Sequence, residues 1–131
     1  MIPAIDWRAV ASGAALVLGV LVAVMVGAQV FDSTVGFDTG PNAVIAFYVV
    51  ALAGNAGGGW LAATRRPDAA LAHGLLAALS AYAVVAAFGV TLRLTTGNGP
   101  DAVALAFNGL MVAAAAILGT LVAERWPRSR P

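Results

Sequence analysis

Few residues in this chain are of a type that does chemistry, and they lie far apart. His73 is the one histidine among 131 residues and stands near the start of an apolar run. An imidazole there could sense pH or carry a proton. A proton relay, however, needs a series of titratable groups, and none follows His73 along that run. The alternative is a histidine held by hydrogen bonds close to a membrane surface. Asn55 lies at helical spacing from Ala51, Gly58 and Ala62, and Asn108 from Ala104, Ala115 and Gly119. Both amides therefore belong to small-residue faces. They could line a polar path for a solute or join helices, and an interhelical bond of this kind contributes roughly 0.6–2 kcal/mol. Their depths differ, so they are expected not to bond each other. Tyr48 and Tyr82 have apolar neighbours and read as packing aromatics.

Other signatures fail on their own terms. The chain has no cysteine, and His73 has no clustered carboxylates with which to hold zinc. Gly57-Gly58-Gly59 has neither a preceding strand nor a following Lys-Ser/Thr, so it is not a phosphate loop. No nucleophile and base share one depth. The expectation is a protein with no catalytic centre, metal or cofactor, and not an enzyme. A net charge of +1 with short arginine clusters points away from nucleic acid as a partner.

The elements that carry these residues follow from composition. The chain is 61% hydrophobic and 10% charged, against about 25% charged in soluble domains. Too few charges exist to build a polar shell, so lipid is the expected solvent. A bilayer core about 30 Å thick needs roughly 20 apolar residues of helix. Four segments qualify: 9–30, 42–63, 69–92 and 102–123, within a single transmembrane domain over 1–131. Alanine dominates and strand-like alternation is absent, which favours helix. The expected class is all-α, a polytopic membrane four-helix bundle. Pro41, Pro67 and Pro100 mark helix starts, and the short connections make consecutive helices antiparallel neighbours. The apolar run of the first span is too long for a cleaved signal peptide and is expected to remain.

Arg8, Arg65, Arg66, Arg125, Arg128 and Arg130 fall on one side of such a bundle, and only Arg93 on the other. By the positive-inside rule that side is cytoplasmic, together with both termini, and a bacterial plasma membrane is the expected location. Trp7, Trp60 and Trp126 stand at the same boundary and read with Arg65, Arg66 and Arg125 as interfacial anchors.

Small residues should mark where helices touch, because close approach is what drives association in lipid. Gly54 and Gly58 form a GxxxG pattern. Ala15/Gly19 and Ala23/Gly27 repeat the theme in the first span, Ala70/Gly74 in the third and Ala115/Gly119/Ala123 in the fourth. These faces serve packing within the chain, contact with a homo-oligomer or larger membrane complex, or close approach of a ligand. The second and fourth spans also resemble each other at an offset of sixty, with nine identities between 45–67 and 105–127. Either alanine-rich sequence coincides or a two-helix unit is duplicated. Duplication would give two tandem repeats in parallel orientation.

The segment GGGWLAATRRPDAALAHGLLAALSAY, Gly57 to Tyr82, runs from a glycine-rich helix end through a basic turn to a His-Gly pair. With Trp7-Arg8 and Gly13 it resembles a family of small four-helix bacterial membrane proteins of unknown function. That resemblance implies four spans and assigns no activity. Small multidrug exporters carry a carboxylate in the first span, and 9–30 has none. Small fluoride channels insert both ways, which the arginine bias disfavours. The expected function is a non-enzymatic accessory or structural component acting through helix contacts, with a small oligomeric transporter or channel as the alternative.

Overall fold

A computed structural model describes residues 4–35 and 41–126. Four helices, α1 (Trp7–Val35), α2 (Pro41–Arg65), α3 (Ala70–Thr95) and α4 (Ala102–Arg125), are all long and apolar enough to cross a membrane. They pack against one another as a bundle, and no strand occurs among the described residues. A single 3-10 turn, Pro67–Ala69, links α2 to α3. α1, α2 and α4 contain the expected spans whole, and α3 begins one residue later than expected and runs on to Thr95. The helical hydrogen-bond ladder continues beyond the apolar stretch that hydropathy detects.

Local chemistry sets the helix ends. Asp101 accepts the Ala104 N–H at 2.9 Å, satisfying one of the donors that a helix start leaves unpaired. Asp6 Oδ1 does the same for α1, accepting from Arg8 N–H at 2.9 Å and Ala9 N–H at 3.4 Å. α3 ends at Thr95, and Gly97 just beyond it, with a φ of +79°, lets the chain turn back so that Asn98 N–H reaches the Arg93 carbonyl at 2.9 Å.

α2 and α3 form the centre of the bundle, and each packs on the other three helices. α1 and α4 lie on opposite flanks with little or no contact between them. Among the residues whose burial is described, burial is confined to one half. On α1 it ends at Val17, on α2 it begins at Gly54, on α3 it ends at Ala81, and on α4 it begins at Val112. All of these lie toward the end bearing Arg8, Arg65, Arg66 and Arg125, hereafter the basic end. Toward the other end the helices bury none of the residues whose burial is described and leave cavities between them, and that end is hereafter the diverging half.

Glycine explains the asymmetry. A Cβ on Gly13 would stand 2.6 Å from the Gly58 carbonyl oxygen, and one on Gly58 would stand 2.7 Å from that of Gly13. A Cβ on Gly54 would press on Val20 at 2.6 Å. α2 thus meets α1 through its GxxxG face. It meets α4 through Gly59, whose added Cβ would lie 2.7 Å from the Ala116 oxygen, while a Cβ on Gly119 would strike the Ala56 carbonyl. Backbones in contact leave no room for side chains and maximise dispersion, which is the main attraction available between helices in lipid.

The α2–α4 contacts are reciprocal. Gly59 and Gly119 are sixty apart, as are Ala56 and Ala116, and each glycine sits on the other helix's alanine. Tyr48 and Asn108, also sixty apart, share a hydrogen bond of 3.1 Å. α2 and α4 therefore run parallel and in register. The relation does not reach the flanks: α3 packs on both members of the pair, α1 on α2.

One expectation is corrected. Ala15, Gly19 and Ala23 of α1 are exposed, and nothing lies within 4 Å of a Cβ placed on Gly19 or Gly27. α1 packs instead through Ala9, Val10, Gly13 and Val17, one helical face round. Gly89 in α3 is likewise open. Its replacement by alanine removes backbone freedom without a clash and is expected to stabilise the bundle by about 0.5–1 kcal/mol, read as a higher unfolding midpoint in detergent.

Candidate functional site

The diverging half encloses a half-open cavity of about 320 Å³ to which all four helices contribute. Its walls are mainly apolar, with Leu21 from α1 and Val85 from α3 among them, and its polar groups are Tyr48, Asn55, Tyr82 and Asn108. Asn55 Nδ2 donates to the Ala51 carbonyl at 2.8 Å and Asn108 Nδ2 to the Ala104 carbonyl at 2.8 Å. Each amide thus bonds its own helix one turn back, and the two asparagines do not bond each other, as expected from their depths. The tyrosines do more than pack. Tyr48 donates its hydroxyl to Asn108 Oδ1, and Tyr82 donates to the Leu105 carbonyl at 2.6 Å. Sequence offered no signal for the Tyr82 bond. The sixty-residue offset between Tyr48 and Asn108 was visible.

Asn55 is 3% exposed and its Oδ1 has no hydrogen-bond partner. The amide cannot be turned round to remedy this, because the Ala51 carbonyl accepts only and must face the Nδ2 donor. A buried acceptor left unpaired costs about 1–3 kcal/mol.

His73 stands apart from this cavity, at the basic end, and is 1% exposed. The Asp6 backbone N–H donates to its Nε2 at 2.9 Å, and its Nδ1 faces the Ala69 carbonyl at 2.9 Å. The partners fix the tautomer: an amide N–H only donates and a carbonyl only accepts, so Nδ1 carries the proton. Nε2 thus ties the segment before α1 to the start of α3, while Nδ1 bonds the carbonyl one turn back at the start of its own helix. Beside it Arg66 pairs with Asp6 at 3.5 Å and with Asp68 at 2.9 Å. The Arg8 N–H on Asp6 Oδ1 holds that carboxyl below its ordinary value; partial desolvation opposes this, and the Ala9 N–H and Arg66 reinforce it. A lowered folded value means the contribution is complete above the unfolded carboxyl's pKa of about 3.9 and is lost as pH falls through the lower folded value. Asp6→Asn keeps a capping side chain but removes the charge. The stability gap between parent and variant is therefore expected to be constant from pH 7 to 5 and to narrow below pH 4, measured by unfolding midpoints.

Trp7 and Trp126 are exposed at the basic end with Arg65 and Arg125, and Trp60 packs partly buried against Ala63, Ala70 and Ala123. Arg128 and Arg130 lie outside the described residues. Gly54, Gly58 and Gly119 are buried at helix crossings and do not face the cavity of Asn55 and Asn108. Among the described residues no three His, Cys, Asp or Glu side chains group as metal ligands.

No family model, curated protein or solved structure matches this chain.

Proposed function

We propose that this integral membrane protein is a non-enzymatic accessory component that engages another transmembrane helix, of a second copy or of a larger assembly, through the outer face of α1. The observation carrying this reading is the disposition of small residues. The small-residue series Gly54/Gly58 of α2, Ala70/Gly74 of α3 and Ala115/Gly119/Ala123 of α4 are buried inside the bundle, whereas Ala11, Ala15, Gly19 and Ala23 of α1 share an exposed face that no helix of the chain covers. Small residues admit the close backbone approach on which helix association in lipid depends. A photoreactive side chain at Gly19 is expected to give a discrete protein adduct in native membranes, and one at exposed Leu110 on α4 to give lipid adducts only. Equal behaviour at both sites removes this reading.

The arginine-bearing end is proposed to face the cytoplasm of a bacterial plasma membrane, with both termini there. Support comes from the arginine bias and from three tryptophans at one boundary. A reporter at the last residue is expected to be active only inside the cell.

A small transporter or channel is the second reading, favoured by the cavity with two asparagines. Backbone contact closes the basic half of one bundle, so a path would require several copies. Flux that survives replacing Asn55, Asn108 and His73 together excludes these residues as its lining.

A further inference from the structure

We infer that the cavity of the diverging half is a binding site for an uncharged, largely apolar molecule carrying a hydroxyl group, a phenol or an alcohol that enters from the bilayer. This inference does not depend on the α1 contact proposed above.

The chemistry is set by what the cavity offers. Asn55 Oδ1 is an acceptor with no partner, on a side chain 3% exposed that lines the space. Its orientation is fixed by the Ala51 carbonyl, so the unmet need is for a donor. Tyr48 gives its proton to Asn108 Oδ1 and retains a lone pair on its own oxygen. A ligand must therefore bring at least one donor, and a hydroxyl supplies one without adding a charge. Among the described residues no charged side chain lines the cavity, and an ion there would lose its hydration without a counter-charge. The apolar walls of Leu21, Leu52, Val85 and Val112 suit a hydrocarbon body. The space, about 320 Å³, falls at the lower end of small-molecule sites. A mostly apolar pocket with a few placed polar groups is the usual form of such sites.

The test uses 15N-asparagine labelling, which reports on Asn42, Asn55, Asn98 and Asn108. The full chain in micelles is titrated with 4-propylphenol, with 1-hexanol, and with 4-propylanisole, in which the hydroxyl is capped. The Asn55 side-chain signal is expected to move and saturate with one or both hydroxyl probes, the two arms telling an aromatic from an aliphatic occupant. The anisole should bind at least tenfold more weakly. Asn55→Leu should abolish that preference. Ala86→Phe, which leaves Asn55 in place and fills the space, should reduce binding of the hydroxyl probes at least tenfold even if the first variant does not fold. Equal binding of phenol and anisole overturns the inference. So does a shift that rises linearly without saturation, which is partition into the micelle. An Asn55 signal unmoved by every probe assigns the site to water and overturns it too.

Discussion

Gly119→Leu is expected to be the most damaging single substitution in this chain, destabilising the bundle by about 3 kcal/mol or more. A Cβ at this position runs into the Ala56 carbonyl and lies 3.0 Å from the Ala56 Cα. These are backbone atoms of a helix pinned on its far side by α1, so they cannot swing aside as a side chain would. α2 and α4 would have to separate along the very contacts that hold them parallel. Gly59→Leu should approach the same cost, because its Cβ meets the Ala116 backbone in the reciprocal contact. Gly57→Ala is the control. It lies on the same helix, but its Cβ would meet only the end of Leu16 at 3.4 Å, an ordinary van der Waals distance. Its effect should stay within about 0.5 kcal/mol. Reversible unfolding in mixed micelles measures all three, and a Gly119 variant as stable as the Gly57 variant contradicts the packing described.

His73→Leu is expected to rank second, at about 2–3 kcal/mol. Leucine fills much of the ring's volume but offers no acceptor to the Asp6 N–H, and that amide would be left without its partner. The Ala69 carbonyl would lose its contact with Nδ1 as well. Loosening should be local to the start of α1, because Gly13 and Gly58 still lock the helices further in. Hydrogen exchange should therefore quicken at Asp6 and Trp7 more than at Val17. His73→Gln is expected to recover part of the loss, since its side-chain oxygen can accept the same N–H. If glutamine is no better than leucine, the ring's value is volume and not hydrogen bonding.

The two cases mark what sequence could and could not deliver. Span positions were legible because lipid imposes a composition that 131 residues cannot hide: 102–123 was expected and α4 runs Ala102–Arg125. Gly54, Gly58 and Gly119 were legible as packing residues because in lipid small size is itself the signal. Their partners were not. On α1, Ala15/Gly19 and Gly13/Val17 both present small or slender faces at helical spacing. Only the three-dimensional fit to α2 selects Gly13, whose carbonyl meets Gly58. His73 was visible as a residue needing hydrogen bonds, but its partner is a backbone amide 67 positions away, and every residue except proline carries that donor. The depths of Asn55 and Asn108 were readable by counting. The unpaired Oδ1 was not, because it depends on which groups of the neighbouring helices come within reach of Asn55.

The claim on which the rest depends is that α2 and α4 lie parallel, sixty residues in register. The chain has no cysteine, so a pair of introduced thiols reports without background. Ala63 and Ala123 share one buried apolar cluster with Ala70. The double variant Ala63→Cys, Ala123→Cys should form an intramolecular disulfide on mild oxidation in native membranes. The pair Ala63→Cys, Leu118→Cys, more than a turn out of register, should not. A disulfide that forms equally in both pairs, or only in the second, contradicts the account.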